Sequence, residues 1–247
     1  MTTERQQAEE FVSELEEQLQ GRLVSAVIYG SAARGEYRPG ASDINLLAIL
    51  SKLDAGVLRA VAGPTRGWLG NGNPPPLLMS EAEWRSSADV FPIEYSDIRD
   101  AHVRVAGSDP FEGIRIDRKH LRLQLEHELR SNKIQLREGL IVAGDAEEEV
   151  AALLVRSLST FFALFRGLLR LSGDPVPAGT DELVEAVAAK VGFSAAPVLT
   201  VLAAKQAGRE AGIAIGGETA AGYLDVVERT ARWLDEYVPA EGEAPEV

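Results

Sequence analysis

Residues 29–50 read YGSAARGEYRPGASDINLLAIL, and this stretch decides how the rest of the chain is understood. It is entered from Leu23–Tyr29 (LVSAVIY), a short apolar and β-branched run of the kind that forms a buried strand. Gly30 and Ser31 break that run, and Ala32 to Gly35 has the look of a short helix start. A turn rich in Pro39 and Gly40 follows, and a second strand is expected from Asp43 to Leu50. Side chains alternate along a strand, so Asp43, Asn45 and Leu47 face one way and Ile44, Leu46 and Ala48 the other.

These residue types suit a phosphorylated ligand and a hard cation. Without a Cβ at Gly30 the backbone can approach a phosphate closely, and the Ser31 hydroxyl with the amides beyond it can donate to phosphate oxygens. Arg34, one turn on, either adds a charge-assisted bond to phosphate or pairs with an acid of its own domain. Asp43 and Asn45, at i and i+2, can both offer oxygen to one ion such as Mg2+, or Mn2+ in its place. A third carboxylate is expected from a neighbouring strand, read at Ile93–Ile98 after Pro92. Glu94 is the candidate and Asp97 the reserve; the plainer reading of Glu94 is a strand-edge carboxylate paired with an arginine.

Working outward, a helix is expected over residues 3–20, capped at Thr2 or Thr3 and ended by Gly21. A helix over 53–61 leads into a loop loaded with Gly and Pro (63–76), then a strand over 77–79. Ser80 and Glu83 have capping-box spacing for a short helix through Trp84. From Asp117 onward the pattern is helical, with helices over 117–142, 146–171, 181–191, 196–209 and 220–237. The one at 146–171 keeps Val150, Leu154, Leu158, Phe161, Phe165 and Leu168 on one stripe and reads as the centre of a bundle. On the helix at 117–142, Glu128 and Asn132 lie at the edge of the leucine stripe. Glu128 is either an acceptor-side general base or half of a satisfied polar pair. His102, His120 and His127 show no zinc-type pairing.

The layout is an α/β (α+β) domain with a small mixed sheet over 1–115, an all-α helical bundle over 116–238, and an acidic tail, 239–247, expected to be disordered. The 247 residues carry a formal charge of -13, which opposes bulk nucleic-acid binding but leaves a small nucleotide with a divalent cation open. There is no cysteine, which rules out disulfides, thiolate nucleophiles and cysteine-ligated zinc. No uninterrupted apolar run reaches membrane-spanning length, and the N-terminus is polar, so a soluble cytoplasmic protein is expected. The apolar helices near 150–171 and 220–237 can pack within one chain or across a homodimer.

Gly30-Ser31-Ala32-Ala33-Arg34-Gly35 followed by Ser42-Asp43-Ile44-Asn45-Leu46 resembles the signature of the polymerase-β-like nucleotidyltransferase superfamily, in its aminoglycoside and minimal nucleotidyltransferase branch. The resemblance implies Mg2+-dependent transfer of NMP from an NTP to a hydroxyl acceptor. Gly30, Ser31, Arg34 and Ser42 would bind nucleotide, and Asp43, Asn45 and Glu94 would form the catalytic metal set. It also implies an acceptor-binding role for the helical bundle. The chain departs from the signature at Asn45, where the family carries a second aspartate. An amide oxygen can ligate a cation but brings no charge, so a nucleotide-binding or interaction module without turnover, regulator- or antitoxin-like, is the alternative.

Overall fold

The computed structural model describes residues 3–35, 37, 42–208, 217–238 and 246–247. The turn expected at Pro39 and Gly40, the N-terminal cap at Thr2, the end of a helix at Arg209 and the tail over 239–245 lie outside them. The chain divides into two units, Met1–Ile116 and Asp117–Val247.

In the first unit, α1 (Thr3–Leu19) leads into β1 (Leu23–Tyr29), the one-turn α2 (Ser31–Arg34) and β2 (Asn45–Leu50). Then come α3 (Ala55–Gly70), β3 (Leu77–Ser80), α4 (Glu81–Ser86), α5 (Pro92–Asp100) and β4 (His102–Gly107). The strands form one mixed sheet in the order β3-β2-β1-β4. β1 runs antiparallel to both β2 and β4, and β2 runs parallel to β3. Alternation along the central strands sends Ala26, Ile28, Ile44, Leu46, Ala48 and Leu50 into one core with Phe11, Val12, Leu15 and Leu19 of α1 and Val57, Val61 and Trp68 of α3. Val27, Leu47 and Ile49 are buried on the opposite face, and α4 packs against β2 and β3.

Two expectations are corrected here. Ile93–Ile98 is not a strand: it lies within helix α5, which Pro92 opens at a position where its fixed φ suits a helix and its missing N–H costs nothing. Ile93, Tyr95, Ser96 and Ile98 are all buried, a helical pattern. The strand lies just beyond, at His102–Gly107, and ends at Gly107, where an added Cβ would stand 2.0 Å from the Val24 carbonyl oxygen. The second correction is α3, which runs to Gly70 through Pro64 instead of ending at Val61. Asp54 caps it by accepting from the amides of Gly56 and Val57. Trp68 anchors its far end, stacked on Phe11 at 4.6 Å and donating from Nε1 to the Pro74 carbonyl at 2.7 Å. Burial of that indole outweighs the loss of one intrahelical bond at the proline. The capping box of α4 forms in full, with Glu83 accepting from the Ser80 amide and Ser80 from the Glu83 amide.

The second unit contains α6 (Arg118–Ala143), α7 (Glu147–Leu171), α8 (Thr180–Val191), α9 (Ala196–Gln206) and α10 (Gly217–Glu236). α7 packs against all four others. Leu154, Leu158, Phe161, Phe165 and Leu168 are buried along it, and Phe161 meets Tyr223 of α10 edge-on at 5.6 Å. By length and composition α7 is apolar enough to cross a membrane, and half of that apolar window is buried inside the protein. Glu246 forms an isolated antiparallel bridge with Asp117 at the head of α6.

Each unit buries a tyrosine whose phenol is pushed well above its ordinary range, chiefly by burial: Tyr95, which donates to the Trp84 carbonyl, and Tyr223, which bonds the Ser157 hydroxyl. In the unfolded chain both ionise near pH 10. Folded, they hold their protons longer, so their contribution is complete below about pH 10 and is lost as the pH rises beyond it. Urea unfolding as a function of pH is expected to show a stability loss above about pH 10, smaller in the Tyr95→Phe, Tyr223→Phe double variant.

Candidate active site

The antiparallel register of β1 and β2 sets Tyr29 directly opposite Asn45. The chain leaves β1 at Gly30, whose φ of 76° and ψ of -146° lie in a region essentially reserved for glycine. A Cβ at Gly30 would stand 3.2 Å from the Asn45 side-chain amide. The two halves of the motif, fifteen positions apart in sequence, therefore meet. Beyond Gly30, α2 makes one turn and is closed by Gly35, whose N–H donates to the Ser31 carbonyl.

Ser42, Asp43 and Ile44 precede the β2 ladder. Ile44 is fully buried in the core while Asp43 is exposed and Ser42 and Asn45 are half-buried, so the segment turns its apolar residue inward and its polar residues outward. The Tyr29 phenol is raised above its usual range, first by burial and then by the negative charge of Asp43. On the other side of Tyr29, His102 of β4 is its cross-strand partner. Its Nδ1 lies 3.0 Å from the Ile98 carbonyl and 3.2 Å from that of Arg99, bonding the last turn of α5.

Arg34 reaches the reserve acid. Its guanidinium lies 3.3 Å from Asp97, both side chains only about 15% exposed (16% and 15%), an ion pair that ties α2 to α5. Glu94 sits one turn earlier on α5 and is exposed. It comes from a helix, not from the strand assigned to it by sequence. Glu128 lies in the other unit, on α6. Asn132 donates to its backbone carbonyl at 2.8 Å and its carboxylate at 3.5 Å, and His127 stands 3.5 Å away.

Among the described residues no three His, Cys, Asp or Glu side chains gather into a group able to hold a metal ion. Asp43 and Asn45 together offer one carboxylate and one amide carbonyl. That donor set fits a cation that keeps several waters and shares oxygens with a bound phosphate, the usual manner of Mg2+, and is too sparse for a closed protein cage. Three residues of the neighbourhood were not singled out by sequence as parts of the site: Tyr29, His102 and Asn73. Asn73 accepts from the Ile44 backbone amide at 3.0 Å. Only its place in the glycine-proline stretch 63–76 marked it, as punctuation.

Gly30→Ala places a methyl group against Asn45 and forces a rare backbone conformation. A loss of roughly 1–3 kcal/mol is expected in urea unfolding, together with displacement of the Asn45 amide resonances in NMR spectra.

No model of a known protein family matches the chain, and no curated protein matches it in sequence. Among solved structures it is similar to the spectinomycin adenyltransferase AAD(9) from Enterococcus faecialis, determined with ATP and spectinomycin. The TM-score is 0.50 at 15% identity, over 92% of this chain and 99% of that one. At that identity the likeness speaks for the fold: a nucleotidyltransferase-like domain with a small mixed sheet, followed by an all-helical region.

Proposed function

We propose that the chain is a nucleotidyltransferase that moves NMP from an NTP to a hydroxyl acceptor, releasing pyrophosphate. One observation carries this reading: the β1–β2 register brings the Gly30–Ser31 turn against Asn45, two residues from Asp43. The glycine leaves room for a phosphate at the backbone, the Ser31 hydroxyl is a donor of the right kind next to it, and Ser42, just before Asp43, is the further candidate donor. Asp43 and Asn45 are the residues that would hold Mg2+, or Mn2+, with Glu94 the candidate third ligand. That cation would neutralise charge on the phosphates and polarise the reacting phosphorus. Arg34, held by Asp97, serves this reading as the brace that keeps α2 in place. The acceptor oxygen attacks the α-phosphorus, the α–β bridging P–O bond breaks with pyrophosphate as the leaving group, and the hydroxyl proton passes to solvent. The structural neighbour is a spectinomycin adenyltransferase determined with ATP and spectinomycin, which makes spectinomycin the first acceptor to try.

A second reading has a specific observation behind it. With Asn45 in place of an acid and no three-acid group among the described residues, the site suits nucleotide binding without turnover.

Labelled ATP with Mg2+ or Mn2+ and a panel of hydroxyl acceptors, spectinomycin included, separates the two. Transfer that falls by about 10²-fold or more in Asp43→Ala is expected for the enzyme. A silent wild type that binds ATP, with activity appearing in Asn45→Asp, establishes the second reading instead. Absence of both binding and transfer contradicts both.

A further inference from the structure

We infer that Asn73 is a positioning residue for the Asp43–Asn45 segment, an inference that rests on the reading of that segment as the cation side of a nucleotide site. The need for such a residue follows from where the sheet stops. β1 gives out at Tyr29, opposite Asn45, because Gly30 turns the chain away. On the other flank β3 begins to pair only at Leu47. The segment bearing Asp43 and Ile44 thus runs past the ladder on both sides, and the Ile44 amide, on a fully buried residue, still requires an acceptor.

Asn73 supplies it. Its Oδ1 accepts the Ile44 amide at 3.0 Å, across 29 residues of sequence, and its Nδ2 donates to Gln7 of α1 at 3.4 Å. The side chain is 6% exposed, so the bond forms away from competing water and leaving either group unmet is costly. Two other buried polar side chains act locally, Ser96 bonding Pro92 and Thr230 bonding Val226, each four residues back in its own helix, while Ser25 ties β1 to the Ser108 carbonyl at 2.8 Å. Asn73 instead joins three separate segments. The Ile44 amide belongs to the peptide plane whose other side is the Asp43 carbonyl. With the Ile44 side chain buried in the core and its N–H held by Asn73, rotation of that plane is restrained, and with it the position of the Asp43 Cα from which the carboxylate is presented. Displacing a ligating group by about 1 Å costs roughly 10²-fold in a site of this kind.

The test is ATP binding in Mg2+ by calorimetry, set beside thermal unfolding. Asn73→Ala, which removes the acceptor, is expected to weaken binding about 10- to 100-fold. Asn73→Asp, which keeps an oxygen for the Ile44 amide, is expected to restore most of it. In a double-mutant cycle the Asn73→Ala effect should largely vanish on an Asp43→Ala background, as it must if Asn73 acts through Asp43; a role in stability alone would leave the two effects additive. Should Asn73→Ala fail to fold, Gln7→Ala cuts the bond that holds Asn73 and is expected to give a smaller loss in the same direction. Wild-type binding that survives Asn73→Ala or Gln7→Ala unchanged, or additive losses in the cycle, overturns this inference and leaves the proposed function standing. A wild type that binds no ATP overturns both.

Discussion

The pairing of Tyr29 with Asn45 across β1 and β2 is the constraint on which the rest of the first unit depends. Strand side chains alternate with a period of two, so a slip of one residue would carry every side chain of β2 to the opposite face. Ile44 would leave the core and Asp43 would enter it. The observed register is enforced by burial: Ile44, Leu46, Ala48 and Leu50 all face α1 and α3, where each is nearly or fully excluded from water. Burying a side chain of that size is worth roughly 1.5–3 kcal/mol, and three of the four are that large. The placement of the polar residues at the candidate site is thus a consequence of where the apolar ones must go.

Around that register, three contacts hold the surrounding pieces. Gly30 allows the chain to pass close over the Asn45 amide. The Arg34–Asp97 ion pair ties the one-turn α2, which has no buried side chain of its own, to α5. Asn73 holds the strand entry from the far side. A one-turn helix is not stable by itself, and a pair this sheltered from water is less screened than an exposed one. The charge balance of the site is also informative. The chain carries a net charge of -13, and at the start of β2 the charged Asp43 is followed two residues on by the neutral Asn45. On the proposed reading, lower local negative charge would weaken the hold on a free cation but also the repulsion of a triphosphate, shifting the burden of cation binding towards the nucleotide itself.

Much of this was legible in the residues. The apolar run Leu23–Tyr29, the Gly30–Ser31 break and the Asp43–Leu50 alternation led to β1, α2 and β2, and the Ser80–Glu83 spacing led to the capping box. The sheet-then-helices architecture followed from the change of period near Asp117. What failed did so where tertiary burial overrides a local signal. Ile93–Ile98 reads as a strand, yet Pro92 and the burial of Ser96 and Ile98 make the segment α5, and Glu94 moved with it. Pro64 and the glycines around it read as a loop, yet the Trp68–Phe11 stack carries α3 through them. Asn73 was illegible for a different reason: its partners, Ile44 and Gln7, are 29 and 66 positions away, and no local pattern records such a bond. The Arg34–Asp97 pair was foreseen as one of two roles for Arg34, with its partner not identified by spacing.

The central claim is that a nucleotide seats its phosphates on the Gly30–Ser31 turn with a cation beside Asp43. A crystal structure with a non-hydrolysable ATP analogue and Mn2+, whose anomalous scattering locates the ion, tests it most directly. The account requires phosphate oxygens within hydrogen-bonding distance of the Ser31 amide or hydroxyl and Mn2+ at about 2.1–2.2 Å from an Asp43 oxygen. An analogue seated elsewhere in the chain, or bound with no density at that turn, would contradict it.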